Sequence, residues 1–194
     1  MKKYIPIGIL LILLILIAIA TKNLATSKNE GEPASASLDE NIKNDKDKYE
    51  DVIFTKTDIE LPDFILPLLF ENNKFLTKKD LIGKYTIINF FASWCSTCLA
   101  EHEILLRLQS EAVGDLYGIA WRDIDDNVLK YLKKNGNPYS KVATDGKALF
   151  TKIANIDAVP ETWIINPKGH LVLRLKGNLQ DFSIDEIKRY IKLN

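Results

Sequence analysis

Tyr85-Thr86-Ile87-Ile88-Asn89-Phe90-Phe91 is a short, mostly apolar run of β-branched and aromatic residues, and it leads almost directly into Trp94-Cys95-Ser96-Thr97-Cys98. Such a run reads as a buried strand. A helical pattern comes after the cysteines, with Leu99, Ile104, Leu105 and Leu108 apolar and Glu101, Glu103 and Arg107 polar. The chain therefore has to turn a corner between strand and helix at its only two cysteines. A Cys-x-x-Cys opening a helix sets the first sulfur against unpaired backbone N–H groups and the positive end of the helix dipole, which stabilises a thiolate. The thiolate is the form that attacks disulfides. The ring that the two cysteines would close is small, and loop entropy gives it only about 2 kcal/mol. A bond that stabilises so little, at an exposed helix start, is better explained as one made to open and close.

The rest of the chain alternates in the same way. Leu116 to Trp121 predicts a second buried strand, and Val128 to Lys134 an amphipathic helix ended by Gly136-Asn137-Pro138. Thr162-Trp163-Ile164-Ile165 and Leu171-Val172-Leu173-Arg174-Leu175 flank the turn residues Asn166-Pro167-Lys168-Gly169, which predicts a hairpin. Ser183, with Glu186 three residues on, is expected to cap a last helix carrying Ile184, Ile187, Tyr190 and Ile191 on one side. A β-α-β half and then a β-β-α half is the order of an α/β fold, a central mixed β-sheet flanked by helices.

Composition adds exclusions. Lys and Arg total 26 against 26 Asp and Glu, so no nucleic-acid partner held by bulk basic charge is expected. Hydrophobic residues make up 46% of the 194, unevenly placed. Met1-Lys2-Lys3-Tyr4 precedes an uncharged run from Ile5 to Ala20, which at 1.5 Å per residue spans roughly 24 Å, close to the lower limit for a membrane span. The two lysines put this end inside, so the chain beyond the apolar run is exported. Ala18-Ile19-Ala20 fits a small-x-small cleavage site, whereas the dense Ile/Leu run favours an uncleaved anchor, and both outcomes stay open. Residues 22–50 are polar, with mixed charges, and cannot bury enough apolar surface to offset their backbone entropy. The expected organisation is an N-terminal transmembrane helix over 1–21, a flexible tether over 22–50, and one domain over 51–194.

Other uses of the cysteines fit less well. A haem attachment site needs His directly after the second Cys, where this chain has Leu99. A metal site on Cys95, Cys98 and His102 would need a fourth ligand from distant His170 or a carboxylate. A purely structural disulfide is the remaining alternative for an exported protein. No cofactor and no metal are expected.

Phe91-Ala92-Ser93-Trp94-Cys95-Ser96-Thr97-Cys98 resembles the active-site segment of thioredoxin-fold proteins. Ala100-Glu101-His102, Gly136-Asn137-Pro138-Tyr139 and Val159-Pro160-Glu161-Thr162, with Ile164-Ile165-Asn166 just after, are similar to the CcmG/DsbE family of membrane-anchored cytochrome c maturation thioredoxins. The similarity is collinear from about Leu61 to Leu193. It implies a thioredoxin-like fold and a protein-disulfide reductase on the periplasmic side of a bacterial inner membrane. Its implied partners are a transmembrane thiol electron donor of the DsbD/CcdA type and apocytochrome c, or the CcmH-type thiol protein that holds it. By the same resemblance Cys95 is the attacking thiolate, Cys98 the resolving thiol, and Pro160 a cis-proline whose neighbouring backbone pairs with an incoming peptide. Trp94, Glu101 and Glu161 match supporting positions. Glu101, adjacent to Cys98 on the helix surface, is expected to tune the thiols and relay a proton, and His102 to be structural.

Two positions depart from the pattern. Thioredoxins proper carry a buried Asp where this chain has Asn89, which cannot take a proton from the resolving thiol, and this places more of that burden on Glu101. Many members have Pro where this chain has Ser96. Two further readings remain: a broader exported thiol-disulfide oxidoreductase, and a non-enzymatic anchored thioredoxin-like module that binds a thiol partner or a metal.

Overall fold

The computed structural model describes residues 52–193. The predicted transmembrane helix over 1–21 and the tether over 22–50 lie outside the described residues. Among the described residues no helix is long and apolar enough to cross a membrane.

Among the described residues eight strands and five α-helices succeed one another, with one 3-10 helix at Lys78–Leu81. Strands β1 (Val52–Glu60), β4 (Thr86–Phe91), β5 (Asp115–Trp121), β6 (Lys141–Asp145), β7 (Glu161–Ile165) and β8 (His170–Gly177) form a mixed sheet in the order β1-β8-β7-β4-β5-β6. β4 runs parallel to β5 and antiparallel to β7. β2 (Ile65–Pro67) and β3 (Phe75–Thr77) make a separate hairpin. The helices are α1 (Ser96–Ala100), α2 (His102–Ser110), α3 (Asp125–Asn135), α4 (Leu149–Ile153) and α5 (Asp181–Leu193).

β4 is central because every one of its residues is buried. Its alternating side chains feed two cores. Ile87 and Phe91 join Leu105, Leu108, Tyr131, Ile184 and Ile187 on the side of α2, α3 and α5. Ile88 and Phe90 join Leu66, Leu76, Phe150 and Trp163 on the side of the β2–β3 hairpin and α4. Each fully buried Ile or Phe stabilises the fold by roughly 1.5–3 kcal/mol. Aromatic pairs add to both cores, with Phe90 4.8 Å from Trp163 and Phe91 5.0 Å from Tyr139 between ring centroids.

Three local expectations are corrected. The helix after the cysteines is not continuous: α1 stops at Ala100 and α2 starts at His102, with Glu101 at the joint. Ser183 does not cap the last helix, because α5 begins two residues earlier at Asp181; the Ser183 hydroxyl instead accepts from the Gln180 N–H at 3.0 Å, and Glu186 pairs with Arg189. The sheet also extends beyond the expected strands, to β1 at one edge and β6 at the other.

Candidate active site

The site sits where β4 ends. The Cys95 N–H donates to the Ala92 carbonyl at 3.2 Å, closing the turn that carries the chain from strand to helix. Cys95 is the N-cap of α1, and its Sγ accepts the Cys98 N–H at 3.1 Å. This backbone donor lies where a charge on sulfur would need it. The Thr97 hydroxyl, 3.3 Å from the same sulfur, is a second donor. Cys95 and Cys98 are joined in a disulfide. Their exposures differ, at 6% for Cys95 and 1% for Cys98, so the first cysteine is the more accessible of the pair.

Neighbouring loops fix the turn. Ser93 donates from its N–H to Asp123 Oδ2 at 2.5 Å and from its hydroxyl to Oδ1 at 3.1 Å. Trp94, 58% exposed, donates from Nε1 to the Arg122 carbonyl at 3.2 Å. Arg122 itself holds a φ of 48°, a left-handed conformation uncommon for a residue with a Cβ. On the other side the Val159–Pro160 peptide is cis, and the Val159 carbonyl oxygen lies 3.7 Å from Cys95 Sγ. A groove of about 390 Å³, lined by Thr97, Val159, Pro160 and Lys176 among others, runs past this carbonyl. Cys95, Cys98, Trp94 and Pro160 are therefore brought together.

Of the two acidic residues, Glu161, next to Pro160, lines the cis-proline groove, whereas Glu101 is placed differently from the sequence expectation. Glu101 is not on the helix surface but fully buried. The break between α1 and α2 turns it inward, where Oε1 accepts from Asn89 Nδ2 at 2.8 Å and Oε2 from the Leu179 N–H at 2.8 Å. Burial raises its carboxyl from the ordinary 4.5 to about 7, and these two hydrogen bonds only partly oppose the rise. Asn89 also donates to Thr162 Oγ1 at 3.0 Å and accepts from the Tyr139 hydroxyl at 2.8 Å. Glu161 belongs to the opposite face of the sheet, with Trp163. Its Oε1 accepts from Trp163 Nε1 at 2.5 Å and from Arg174 Nε at 2.6 Å. Burial pushes its carboxyl up as well, against the pull of Trp163 and Arg174.

His102 is structural. Nε2 faces the Gly136 carbonyl at 3.0 Å, which requires it to donate, so in the neutral ring Nδ1 accepts from the Tyr131 hydroxyl at 3.1 Å. Burial lowers its pKa and favours that neutral ring. His170 is occupied elsewhere, with Nδ1 2.7 Å from Asp58. Sequence reasoning missed Tyr131, Tyr139 and Thr162. Tyr139 closes the Gly136-Asn137-Pro138-Tyr139 segment and could have been flagged from it; Tyr131 reads only as an apolar helix position. Burial, then the charge of Glu101, pushes Tyr131 up to about 12, and burial pushes Tyr139 well above its usual range.

A dithiol–disulfide couple at a helix start, beside a cis-proline and on a central mixed sheet, defines a thioredoxin-like protein. The chain belongs to the redoxin family, whose model matches residues 56–187, and within it to the DsbE group of thiol:disulfide interchange proteins. It is 34% identical over 113 residues to thiol:disulfide interchange protein DsbE of Haemophilus influenzae, covering 58% of this chain and 62% of that one. It is 30% identical over 143 residues to DsbE of Vibrio cholerae, covering 74% and 76%. It is 30% identical over 99 residues to thiol:disulfide interchange protein HelX of Rhodobacter capsulatus, covering 51% and 56%. In several of these relatives the match spans about three fifths of the relative's length. Among solved structures, a secreted thiol-disulfide isomerase from Corynebacterium glutamicum superposes with a TM-score of 0.62 at 19% identity, over 75% of this chain and 93% of that one. A secreted Mycobacterium tuberculosis disulfide oxidoreductase homologous to E. coli DsbE gives 0.56 at 17%, over 68% and 96%. At these identities the two structures establish the fold.

Proposed function

We propose that the chain is a membrane-anchored, periplasm-facing protein-disulfide reductase acting in cytochrome c maturation. The observation that carries the redox part is the asymmetry of the couple. Cys95 is the more accessible of the two and its Sγ receives two hydrogen-bond donors, while Cys98 is the more deeply buried. The reduced Cys95 thiolate attacks one sulfur of a client disulfide, forming a mixed disulfide and releasing the first client thiolate. Deprotonated Cys98 then attacks Cys95 Sγ and releases the second. Two electrons pass to the client, and the enzyme is left as the Cys95–Cys98 disulfide. In this reading the Val159 backbone, whose carbonyl lies beside Cys95, pairs with the client chain during the first step.

Glu101, one helical turn beyond Cys98, takes the proton from the resolving thiol in this reading. A carboxyl near pKa 7 can both accept and return a proton close to neutral pH. A membrane thiol carrier of the DsbD/CcdA type would restore the dithiol. The clients would be apocytochrome c or a CcmH-type thiol protein, as the resemblance of the sequence implies; the names of the relatives speak of thiol:disulfide interchange alone.

The test mixes the reduced full chain with a peptide closed by its own Cys-x-x-Cys-His disulfide and, separately, with an unrelated exported disulfide protein. Faster reduction of the haem-site peptide is expected. Equal rates would favour the broader oxidoreductase reading, and reduction of neither would leave the anchored binding module.

A further inference from the structure

On the side of Cys95 away from Pro160 lies a second groove, of about 480 Å³, between the active-site turn and α3. Its far wall is one stripe of α3: Asn127, Lys130, Tyr131 and Lys134 recur at the three- and four-residue spacing of a single helix face. Its near wall is Trp94 and Leu99, two large apolar side chains left 58% and 49% exposed at the rim. No acidic residue lines the groove. Neither Lys130 nor Lys134 forms an ion pair among the described residues, although Asp126 stands one turn before Lys130 on the same helix. Like charges four residues apart repel. Two unneutralised ammonium groups and two exposed apolar side chains thus line the groove that Cys95 also lines, in a chain whose formal net charge is zero.

We propose that this groove receives an acidic stretch of the client, whose carboxylates lie against Lys130 and Lys134 while an apolar side chain covers Trp94 and Leu99. The proposal rests on the oxidoreductase reading above and adds the chemistry of the partner. The client chain would cross the site from the Val159 backbone on one side to the lysine stripe on the other. Because the whole chain is neutral, discrimination by charge would arise locally rather than from the field of the molecule.

Three peptides test it, each closed by one disulfide and differing only in three flanking residues: Glu, Gln or Lys. The rate of their reduction by the reduced full chain is read at low and high salt. At low salt the Glu peptide should react about tenfold faster than the Lys peptide, and the gap should shrink as salt screens it. In K130Q/K134Q the gap should collapse. It should persist in K79Q/K168Q, which removes two charges near the 3-10 helix and the β7–β8 turn, at the other end of the sheet. Equal rates for the Glu and Lys peptides, or a gap that survives K130Q/K134Q, would overturn the proposal. Reduction of no peptide would overturn the oxidoreductase reading itself.

Discussion

Glu101 is a carboxyl group with backbone and amide donors around it and, among the described residues, no ion pair. Because its folded pKa, about 7, lies above the unfolded 4.5, the group favours folding while protonated and costs stability as pH rises through the interval between them. Stability should therefore be highest below about pH 4.5 with respect to this group, and fall by about 3 kcal/mol by pH 7 and above. In Glu101→Gln that slope should flatten, on top of a pH-independent loss from the amide facing Asn89 Nδ2. Urea midpoints measured across pH 4–8 check it, and an unchanged slope would remove the burial argument. Glu161 is the contrasting case, buried but held by Arg174. Arg174→Met should cost about 3 kcal/mol near neutral pH, because it leaves a buried carboxylate without its counterion. The loss should be smaller in acid, and Glu161→Gln added to it should recover part of the stability; denaturant unfolding of the three variants decides. The two cysteines can be assigned their place from the strand-to-helix pattern around them, whereas Pro160, which meets Cys95 from a distant stretch of the chain, is assigned its place only by the resemblance. Glu101 is misplaced by that pattern. Its helical spacing from Cys98 puts it on a polar surface, and only the break between α1 and α2, which no residue type announces, turns it into the core.

Among the elements, β4, β5, α3 and the β7–β8 hairpin are readable because burial on both faces or on one stripe leaves a continuous or periodic apolar pattern. The edges carry no such pattern. β1, Val52–Glu60, exposes most of its residues, and its Lys56, Asp58 and Glu60 suit an edge that should not recruit another strand. β6 is five residues long, and β2 and β3 are three each, too short for alternation to show. The last helix is legible but its start is not, since Ser183 bonds back to Gln180 rather than capping from its own position. Close approach inside the sheet gives a prediction at this scale. A Cβ added at Gly118 would stand 2.8 Å from Tyr139 Cδ2 and 2.9 Å from Phe91 Cε1. Gly118→Ala should cost roughly 2 kcal/mol by overpacking. It should also disturb the Tyr139–Asn89–Glu101 chain, so the pH slope of stability should shift along with the midpoint.

For the molecule as a whole, the mixed sheet gathers two distant stretches at one end, the turn after β4 and the cis-proline before β7, and the disulfide stands between them. Around the active-site turn the surroundings are unequal: the Val159 backbone on one side, the lysine-bearing groove of α3 on the other, and the buried Glu101 three residues beyond Cys98. If residues 1–21 anchor the chain, the full-length protein should stay with the membrane pellet after carbonate washing, and a variant beginning at residue 22 should not. The central claim is that Cys95 forms the mixed disulfide and Cys98 resolves it. The direct measurement is capture in cells by Cys98→Ser, with Cys95→Ser as its counterpart, read by non-reducing electrophoresis and identification of the trapped chains. Cys98→Ser should accumulate adducts with apocytochrome c or its thiol carrier, and Cys95→Ser should accumulate none. Adducts on Cys95→Ser alone, or none on either, would contradict the assignment.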